Sequence, residues 1–582
     1  MSKFLLFILV LQTSLILRGQ VTPSQVPAFK NISQSSGLTV SHISTKEKNF
    51  MVETMSGGVG FIDCDNDGKL DIITTNGSTM RRHLAGQDPL MITLYHQEKG
   101  LKFRNITTEA GLTRKGWGMG IAVADFDNDG WQDIYVTGFG GSVLYRNKGN
   151  CRFEDVTKKA GVGVDGFPTG ATWGDYDRDG YVDLFVPRYA HQVLPRSAKD
   201  VQYCTFLGLR VFCGPWGLPG ESDLLFHNNG NGTFENVSKK AGVDDKEHLS
   251  GLQGIWADFD GDGWPDLYVT NDRGPNYLYR NMHDGTFEEI GFLSGTMVGA
   301  NGNPQGSMGV DAEDLNHTGK LDIFVTNFQQ ESDTMYENRG PLGFEDISIP
   351  SGIAKATFDY VGWGTGMVDF TNSGWDDIFI ANGHIYPQID SAGMAFHYRE
   401  PALLFHNNRN GTFRDITRLA GLNQLPLQSS RGVAFGDVNN DGKVDVLILN
   451  VDAPPTLLLN CSQNSNHAVL LKLIGTKSNR AAIGARVFVT AQDLKQMEEV
   501  RSGSSYLSQN DLRLHFGLGS HTKISTMEVQ WPSGAIQTLH NIPADSLYTI
   551  KEGKGIVKAA RLSPSTGCGG SAPEPMSGAK AN

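Results

Sequence analysis

Asp125-Phe126-Asp127-Asn128-Asp129-Gly130-Trp131-Gln132-Asp133 is the stretch that decides the fold. It sets carboxylates at positions 1, 3, 5 and 9 and a glycine at position 6. Alternate carboxylates turn inward when a backbone wraps a cation, the glycine permits the sharp turn, and position 7 offers its carbonyl. Hard oxygen donors in a flexible cage select Ca²⁺ over Mg²⁺ or transition metals. An EF-hand opens in the same way but closes on Glu at position 12 and lies between helices. Here the closing residue is Asp at 9. The flanks, Gly120-Ile121-Ala122-Val123-Ala124 and Ile134-Tyr135-Val136-Thr137, read as strands.

The pattern recurs seven times. Before Asp125, Asp127, Asp129 and Asp133 stand Asp63, Asp65, Asp67 and Asp71. After them come Asp175, Asp177, Asp179 and Asp183, then Asp258, Asp260, Asp262 and Asp266. The seventh copy is Asp437, Asn439, Asp441 and Asp445. Two copies between them are degraded, Asp314-Asn316-Thr318-Asp322 and Asp369-Thr371-Ser373-Asp377. The mean step from Asp63 to Asp437 is about 62 residues, a repeat period. Carboxylate count predicts calcium in copies one to four and seven, about five structural ions. The degraded pair reads as Asx-rich turns without metal. A saturated oxygen cage leaves little room for catalysis.

Each unit continues with an L-[YF]-x-N strand, as in Leu144-Tyr145-Arg146-Asn147, Leu225-Phe226-His227-Asn228 and Leu404-Phe405-His406-Asn407. A turn and a last strand such as Phe153-Glu154-Asp155-Val156-Thr157 complete it. Four strands in about 60 residues make a propeller blade. Small residues before each loop suit innermost strands converging on an axis. A lone strand at Phe29 to Ile32 opens the array and a lone Leu457-Leu458-Leu459-Asn460 ends it. Pairing them in one blade removes two exposed edges. The expectation is an all-β, seven-bladed propeller over residues 21–462, with six or eight blades as alternatives.

The chain has 582 residues, 50 Lys+Arg against 63 Asp+Glu, and a net charge of −13. That balance gives nucleic acid no basic patch, so no such partner is expected. With 39 % hydrophobic residues a large core is available, and 70 glycines argue for tight turns over long helices. Residues 1–20 read as a cleavable secretion signal. Lys3 precedes the apolar run Phe4 to Leu17, which is shorter than the ~18 residues a membrane span needs. An uncleaved anchor is the alternative, and no later segment is apolar enough to span. A secreted protein is therefore expected, with no transmembrane segment in the mature chain. Export allows Cys204 and Cys213, nine apart, to form a disulfide. Cys568 reads as a free thiol in a Ser/Gly/Pro-rich tail, and Cys64, Cys151 and Cys461 cannot be paired from sequence.

Composition changes after residue 462. Strand-like alternation marks Ala468-Val469-Leu470-Leu471-Lys472-Leu473 and Ala485-Arg486-Val487-Phe488-Val489-Thr490, so residues 463–552 read as a small β-sandwich and 553–582 as a disordered tail. Arg480-Ala481-Ala482-Ile483-Gly484-Ala485-Arg486, Arg501-Ser502-Gly503-Ser504-Ser505-Tyr506-Leu507-Ser508-Gln509-Asn510, His515-Phe516-Gly517-Leu518-Gly519 and Trp531-Pro532-Ser533-Gly534 carry a resemblance. This series is similar to the ASPIC/UnbV domain, and the seven acidic loops resemble FG-GAP/VCBS repeats, the units of the integrin α-subunit propeller. Together they resemble the cartilage acidic protein family. The resemblance implies an exported, calcium-binding propeller plus β-domain, of bacterial type because no EGF-like module follows, and it implies little about activity.

Two stretches exceed the needs of the repeat. One, between the third and fourth loops, holds Arg188, Tyr189, Tyr203, the Cys204/Cys213 pair and Trp216. The other is Asn382-Gly383-His384-Ile385-Tyr386-Pro387, running on to His397. Long insertions on a rigid scaffold hold ligand contacts or merely cover a rim. Likewise His384 and His397 read as either site residues or loop packing, and Ser504, Ser505 and Gln509 as either a polar binding surface or strand caps. The motifs HExxH, GxSxG, GxxxxGK[ST] and a helix-opening GxGxxG do not occur. The leading expectation is a secreted calcium-binding recognition or adhesion module for a protein or glycan ligand. The alternative is a propeller enzyme acting on a polysaccharide or small metabolite in the central channel.

Overall fold

Every blade folds because its acidic loop is a hairpin between two buried strands. In the second blade Trp117–Ala124 runs up the axis, turns through the loop and returns as Asp133–Phe139, both buried throughout. Val143–Asn147 and Phe153–Asp155 complete the sheet outward. The same four-strand order is set by Val59–Ile62, Thr172–Gly174, Gly251–Ala257, Val310–Glu313 and Gly362–Val368 as innermost strands. The seventh sheet uses Ser430–Gly436, Asp445–Asn450 and Thr456–Asn460, and takes its outermost strand from the N-terminal side as Phe29–Asn31. Phe29 faces Asn460 in that antiparallel pair. The blade count is seven, closed as the two lone strands required. The structure, a computed structural model, describes residues 25–569 apart from 192–194, 196, 198, 216 and 342. The expected signal at 1–20, Trp216 and residues 570–582 lie outside it.

The Asn of the L-[YF]-x-N strand is what binds blade to blade. Its Nδ2 donates to a carbonyl in the loop of the preceding blade: Asn147 to Cys64, Asn228 to Phe126, Asn281 to Tyr176, Asn338 to Phe259, Asn407 to Leu315 and Asn460 to Phe370, at 2.8–3.1 Å. Gln97 holds the place in the first blade and reaches Val438 of the seventh at 2.8 Å. The ring is therefore joined by side chains as well as by the shared sheet. A buried carbonyl satisfied in this way avoids a desolvation cost of about 1–3 kcal/mol.

Three disulfides staple the chain. Cys204–Cys213 closes the hairpin Tyr203–Phe206/Leu209–Phe212, inserted between the second and third strands of the third blade. Cys64–Cys151 ties the first blade to the second. Cys461–Cys568 corrects the reading of Cys568 as a free thiol, since among the described residues no cysteine is free.

The C-terminal domain is a sandwich of two four-stranded sheets. One runs Leu514–Gly519, His467–Ile474, Ser546–Lys551, Gly555–Arg561, and the other Leu494–Glu499, Arg486–Ala491, Lys523–Gln530, Ile536–Pro543. Ile524, Met527 and Val529 point inward, with Val469, Leu471 and Phe516 opposite. Gly555–Arg561 overturns the reading of everything after 552 as a tail. It is an edge strand whose outer face is exposed, so it shows no apolar alternation, yet its backbone pairs with Ser546–Lys551. Among the described residues no helix is long and apolar enough to cross a membrane.

Candidate functional site

The acidic loops share one hydrogen-bonding scheme. The position-1 carboxylate accepts the amide of the position-6 glycine, as Asp125 does from Gly130 at 2.7 Å and Asp258 from Gly263 at 2.9 Å. The position-9 carboxylate is buried. Its Oδ1 accepts from the third strand, as Asp133 does from the Asn147 amide at 2.7 Å, and its Oδ2 from the position-2 amide, here Phe126 at 3.1 Å. Asn128 and Gly130 hold φ of 58° and 94°, so position 4 favours Asn and position 6 is Gly. Asp314 and Asp369 make the same glycine contacts, with Gly319 at 2.8 Å and Gly374 at 2.6 Å. The two degraded loops therefore keep the glycine contact without carboxylates at positions 3 and 5, while Oδ2 of Asp322 and of Asp377 is left without a hydrogen-bond partner.

The donor sets suit a divalent cation. Oxygens of Asp63, Asp65 and Asp67, of Asp125, Asp127 and Asp133, and of Asp175, Asp177 and Asp183 each converge within 4.8 Å. Asp127 Oδ1 and Asp175 Oδ1 are buried without a hydrogen-bond donor. Burial, helped by neighbouring carboxylates, pushes Asp125 up to about 7 and Asp175 up to about 8. A bound cation would offset that cost, with Asp63, Asp65, Asp67 and Asp71, or Asp258, Asp260, Asp262 and Asp266, and their equivalents supplying the oxygens. Asp437, Asn439, Asp441 and Asp445 offer one carboxylate fewer, and Arg513 of the sandwich donates to the Asp437 carbonyl at 2.9 Å.

Sequence reasoning missed what sits on these loops. The sandwich caps the loop face and brings basic side chains to it. Lys472 stands 3.4 Å from Asp63, Arg486 pairs with Asp258, and Arg501 pairs with Glu313. The only signal was the spacing of those cations along strands of the second domain, which nothing local connects to the propeller. A second contact was read as surface. Residues 502–511 leave the sandwich and enter the central channel. Leu507 accepts from Ile121 at 3.0 Å, Gln509 from Phe61 at 3.1 Å, and Asp511 donates to Phe435 at 2.9 Å. Gln509 Oε1 accepts from Val123 at 2.9 Å, and Ser505 Oγ accepts from Thr365 at 3.0 Å. Ser504, Ser505 and Gln509 are buried channel residues, neither an exposed binding surface nor strand caps. Tyr506, fully buried at the tip, donates to the Met55 carbonyl at 2.8 Å.

Beyond that tip, on the face away from the sandwich, lies a cavity of about 140 Å³. Met55, Leu252, Met308, Trp363 and Tyr386 line it together with Phe206, Phe212 and Phe328. The disulfide-closed hairpin supplies Cys204 and Phe212, so the two long stretches of the sequence do meet here. Tyr189, fully buried, donates to the Asp272 carboxylate on the cavity wall, and Tyr386 packs 4.9 Å from Phe212. His384 lies behind the wall, 5.7 Å from the Phe206 ring. Asn382 is buried and spends its amide on the Pro401 carbonyl. Arg188 turns away to the Ser222 carbonyl, and Tyr203 is exposed under the Arg210 guanidinium, so neither lines the cavity. His397 is exposed beside Asp390. Asp272 and Trp363 went unread because they sit in regular strands of the repeat, and Met308 because it lies just before the innermost strand of its blade.

The profile of the ASPIC and UnbV family matches residues 475–557, and that of the FG-GAP-like repeat matches 63–136, 125–186, 258–325 and 369–448. Among curated proteins the chain is similar to cartilage acidic protein 1 of Xenopus tropicalis, 28 % identical over 285 residues, and of Homo sapiens, 26 % identical over 302. These alignments cover 47 % and 49 % of this chain, which spans only 40 % and 41 % of the length of those relatives. Solved structures of similar shape include an Agrocybe aegerita lectin specific for non-reducing terminal N-acetylglucosamine (16 % identity, 62 % of this chain and 79 % of that one, TM-score 0.38). Another is YCF48 bound to D1 peptide (7 % identity, 72 % and 97 %, TM-score 0.37).

Proposed function

Starting from a chain of FG-GAP-like repeats that carries an ASPIC and UnbV domain, we propose a secreted recognition module for a protein ligand, with calcium held in the blade loops as a structural ion. The observation that carries the reading is the cavity at the centre of the free face. It is enclosed by aromatic and methionine side chains, with the Tyr189–Asp272 pair on its wall. A space of about 140 Å³ fits one large apolar side chain, and such a pocket at the centre of an open face is where binding energy concentrates. Its apolar walls favour a peptide anchor over a sugar, which needs many polar partners. The loop face is covered by the sandwich and the channel is filled by residues 502–511, so of the propeller's two ends the free face is the one left open to a partner. The channel as the seat of an enzyme loses its space for the same reason. Three disulfides support an oxidising compartment.

Panning a displayed random peptide library against the full chain tests this. Enriched peptides are expected to share one aromatic or large aliphatic residue, and to lose binding to Gly214→Trp, whose added side chain starts in open space at the cavity wall. Enriched peptides that bind this variant as well as the parent would remove the cavity from the proposal.

A further inference from the structure

In the first six blades one side chain of the third strand, the x of L-[YF]-x-N or its equivalent, looks back at the acidic loop of its own blade. In the second blade it is Arg146, with Nε 2.5 Å from Asp127 and NH2 3.0 Å from Asp129. In the fourth it is Arg280, 3.3 Å from Asp260. A guanidinium there offsets part of the loop's charge and cannot itself ligate metal. In the third blade the residue is His227. Its Nδ1 faces two carboxylates at ion-pair distance, 3.3 Å from Asp177 Oδ2 and 3.2 Å from Asp183 Oδ1, with hydrogen-bond geometry to neither. Donor atoms of Asp177, Asp179 and His227 converge within 4.8 Å, as do those of Asp175, Asp177 and Asp183. Asp175 is 3 % exposed, and its Oδ1 has no donor.

The other histidine-bearing blades differ. His96 makes an ordinary hydrogen bond to Asp65 at 3.0 Å, in a loop whose Asp63 and Asp67 already meet Lys472 and Lys69. His406 is bonded to Asp377 at 2.9 Å, in a loop without carboxylates at positions 3 and 5. Only the third blade, among the described residues, offers a full set of carboxylates, an imidazole nitrogen that faces two of them without a hydrogen bond, and no lysine or arginine bridging them.

We propose that the third-blade loop, with His227, is a mixed imidazole–carboxylate site that takes a first-row transition dication of the Mn²⁺, Co²⁺ or Zn²⁺ class in preference to calcium. Imidazole is a borderline donor that Ca²⁺, which coordinates through oxygen, gains little from, whereas Zn²⁺ and its neighbours bind it well. Asp175, Asp177 and Asp183 complete the shell. The ring must be neutral to ligate, so metal uptake releases whatever proton it carries. The inference rests on the reading of the loops as divalent-cation sites and names the loop that departs from calcium.

The test uses the full chain stripped with chelator and then dialysed against Ca²⁺ in excess with limiting Co²⁺ or Mn²⁺. Wild type is expected to retain one transition ion per chain against a hundredfold excess of calcium, and bound Mn²⁺ should show ¹⁴N coupling in pulsed EPR. His227→Gln, and His227→Arg, the residue that two sister blades carry, should lose that ion and the ¹⁴N coupling without losing any of the calcium that wild type binds. Calcium bound with no transition ion retained overturns this inference and leaves the calcium reading standing. Retention or ¹⁴N coupling unchanged in both variants also overturns it. No divalent ion of either kind bound would overturn both.

Discussion

Val310 of the fifth blade and Ser505 of the C-terminal domain exchange both backbone hydrogen bonds, at 2.9 and 2.8 Å, as two residues of one sheet would. Gly60 meets Gln509 and Trp173 meets Ser502 in similar isolated bridges on other blades. Residues 502–511 therefore stitch the inner strands together from inside the ring, and the second domain serves as axle and lid. The propeller's polar inner edges, which would otherwise line a wet channel, find their partners in this segment.

Close approach to that segment needs glycine. A Cβ built on Gly58 would stand 2.1 Å from the Leu507 carbonyl and 3.1 Å from that of Met119, both backbone atoms that cannot step aside. Gly58→Ala is expected to destabilise the chain by about 1–3 kcal/mol, the usual cost of forced overpacking. Gly214→Ala, where a Cβ meets nothing within 4 Å, is the control and should leave the melting temperature unchanged. Equal midpoints for the two variants would mean that the channel segment is not seated as described.

Gln97 is the side chain that joins the first blade to the seventh, through Val438 at 2.8 Å, while also donating to Leu70 at 3.1 Å. Gln97→Ala leaves two buried carbonyls short of a donor and should cost about 1–3 kcal/mol. Gln97→Asn restores the residue type of the other six blades. Urea unfolding followed by tryptophan fluorescence measures the loss. A midpoint identical to wild type in the alanine variant would count against side-chain closure of the ring.

Much of this was legible because the repeat is written in side chains whose local geometry is fixed. An Asp at position 1, a Gly at 6 and an Asp at 9 dictate a hairpin whatever lies around them, so the blades, their number and the pairing of Phe29–Asn31 with Thr456–Asn460 follow from pattern alone. Contacts between distant segments were not legible. Ser505 and Gln509 look like surface polar residues until Thr365 and Val123 are known to need acceptors. Lys472 and Arg486 look like solvated strand charges until Asp63 and Asp258 stand opposite. Cys568 looked unpaired because its partner, Cys461, is 107 residues away and its own segment has no periodicity. For the cavity, sequence reasoning reached Tyr189 and Tyr386 through their insertions but missed Asp272 and Trp363, which belong to regular strands.

The Cys461–Cys568 bridge closes 107 residues and ties the end of the described chain to the seventh blade. Such a cross-link contributes typically about 2–4 kcal/mol. The double variant Cys461→Ser with Cys568→Ser should melt lower and become sensitive to protease after residue 561, with the rest of the sandwich intact. Thiol titration of the wild-type chain in denaturant without reductant should find no free thiol. Two reactive thiols in that titration would contradict the bridge.

Calcium should stabilise the chain by mass action. A single site at a hundredfold excess over its dissociation constant adds about 2.7 kcal/mol, and several sites add more. Chelator should therefore lower the melting temperature, and Asp125→Asn should reduce the calcium bound by one ion without touching the other loops. The converged oxygens of Asp125, Asp127 and Asp133 are the reason to choose that blade. A melting temperature indifferent to chelator would remove calcium from the account of stability.

His384 gives the acid side of the stability curve. Its Nδ1 accepts the Tyr386 amide at 3.0 Å, so the ring proton sits on Nε2, which faces Gln329 Oε1 at 3.1 Å. A second proton would have to enter against the Tyr386 N–H. Burial, and after it the charge of Arg431, holds the ring down to about 3. In the unfolded chain the same ring titrates near 6.5. Between those two values the unfolded state binds a proton that the native state refuses, so stability falls as pH drops from 6.5 towards 3 and is undiminished above 6.5. His384→Gln keeps a donor for Gln329 and removes the titration. The gap in unfolding free energy between wild type and this variant should be about 2 kcal/mol smaller at pH 5.0 than at pH 7.5, the amount that 1.5 pH units below 6.5 convert to at ~1.4 kcal/mol each. Comparing the two chains at each pH cancels His42, which burial also holds down to about 3, and the buried carboxylates. A gap that does not change with pH would show that His384 accepts its proton inside the fold.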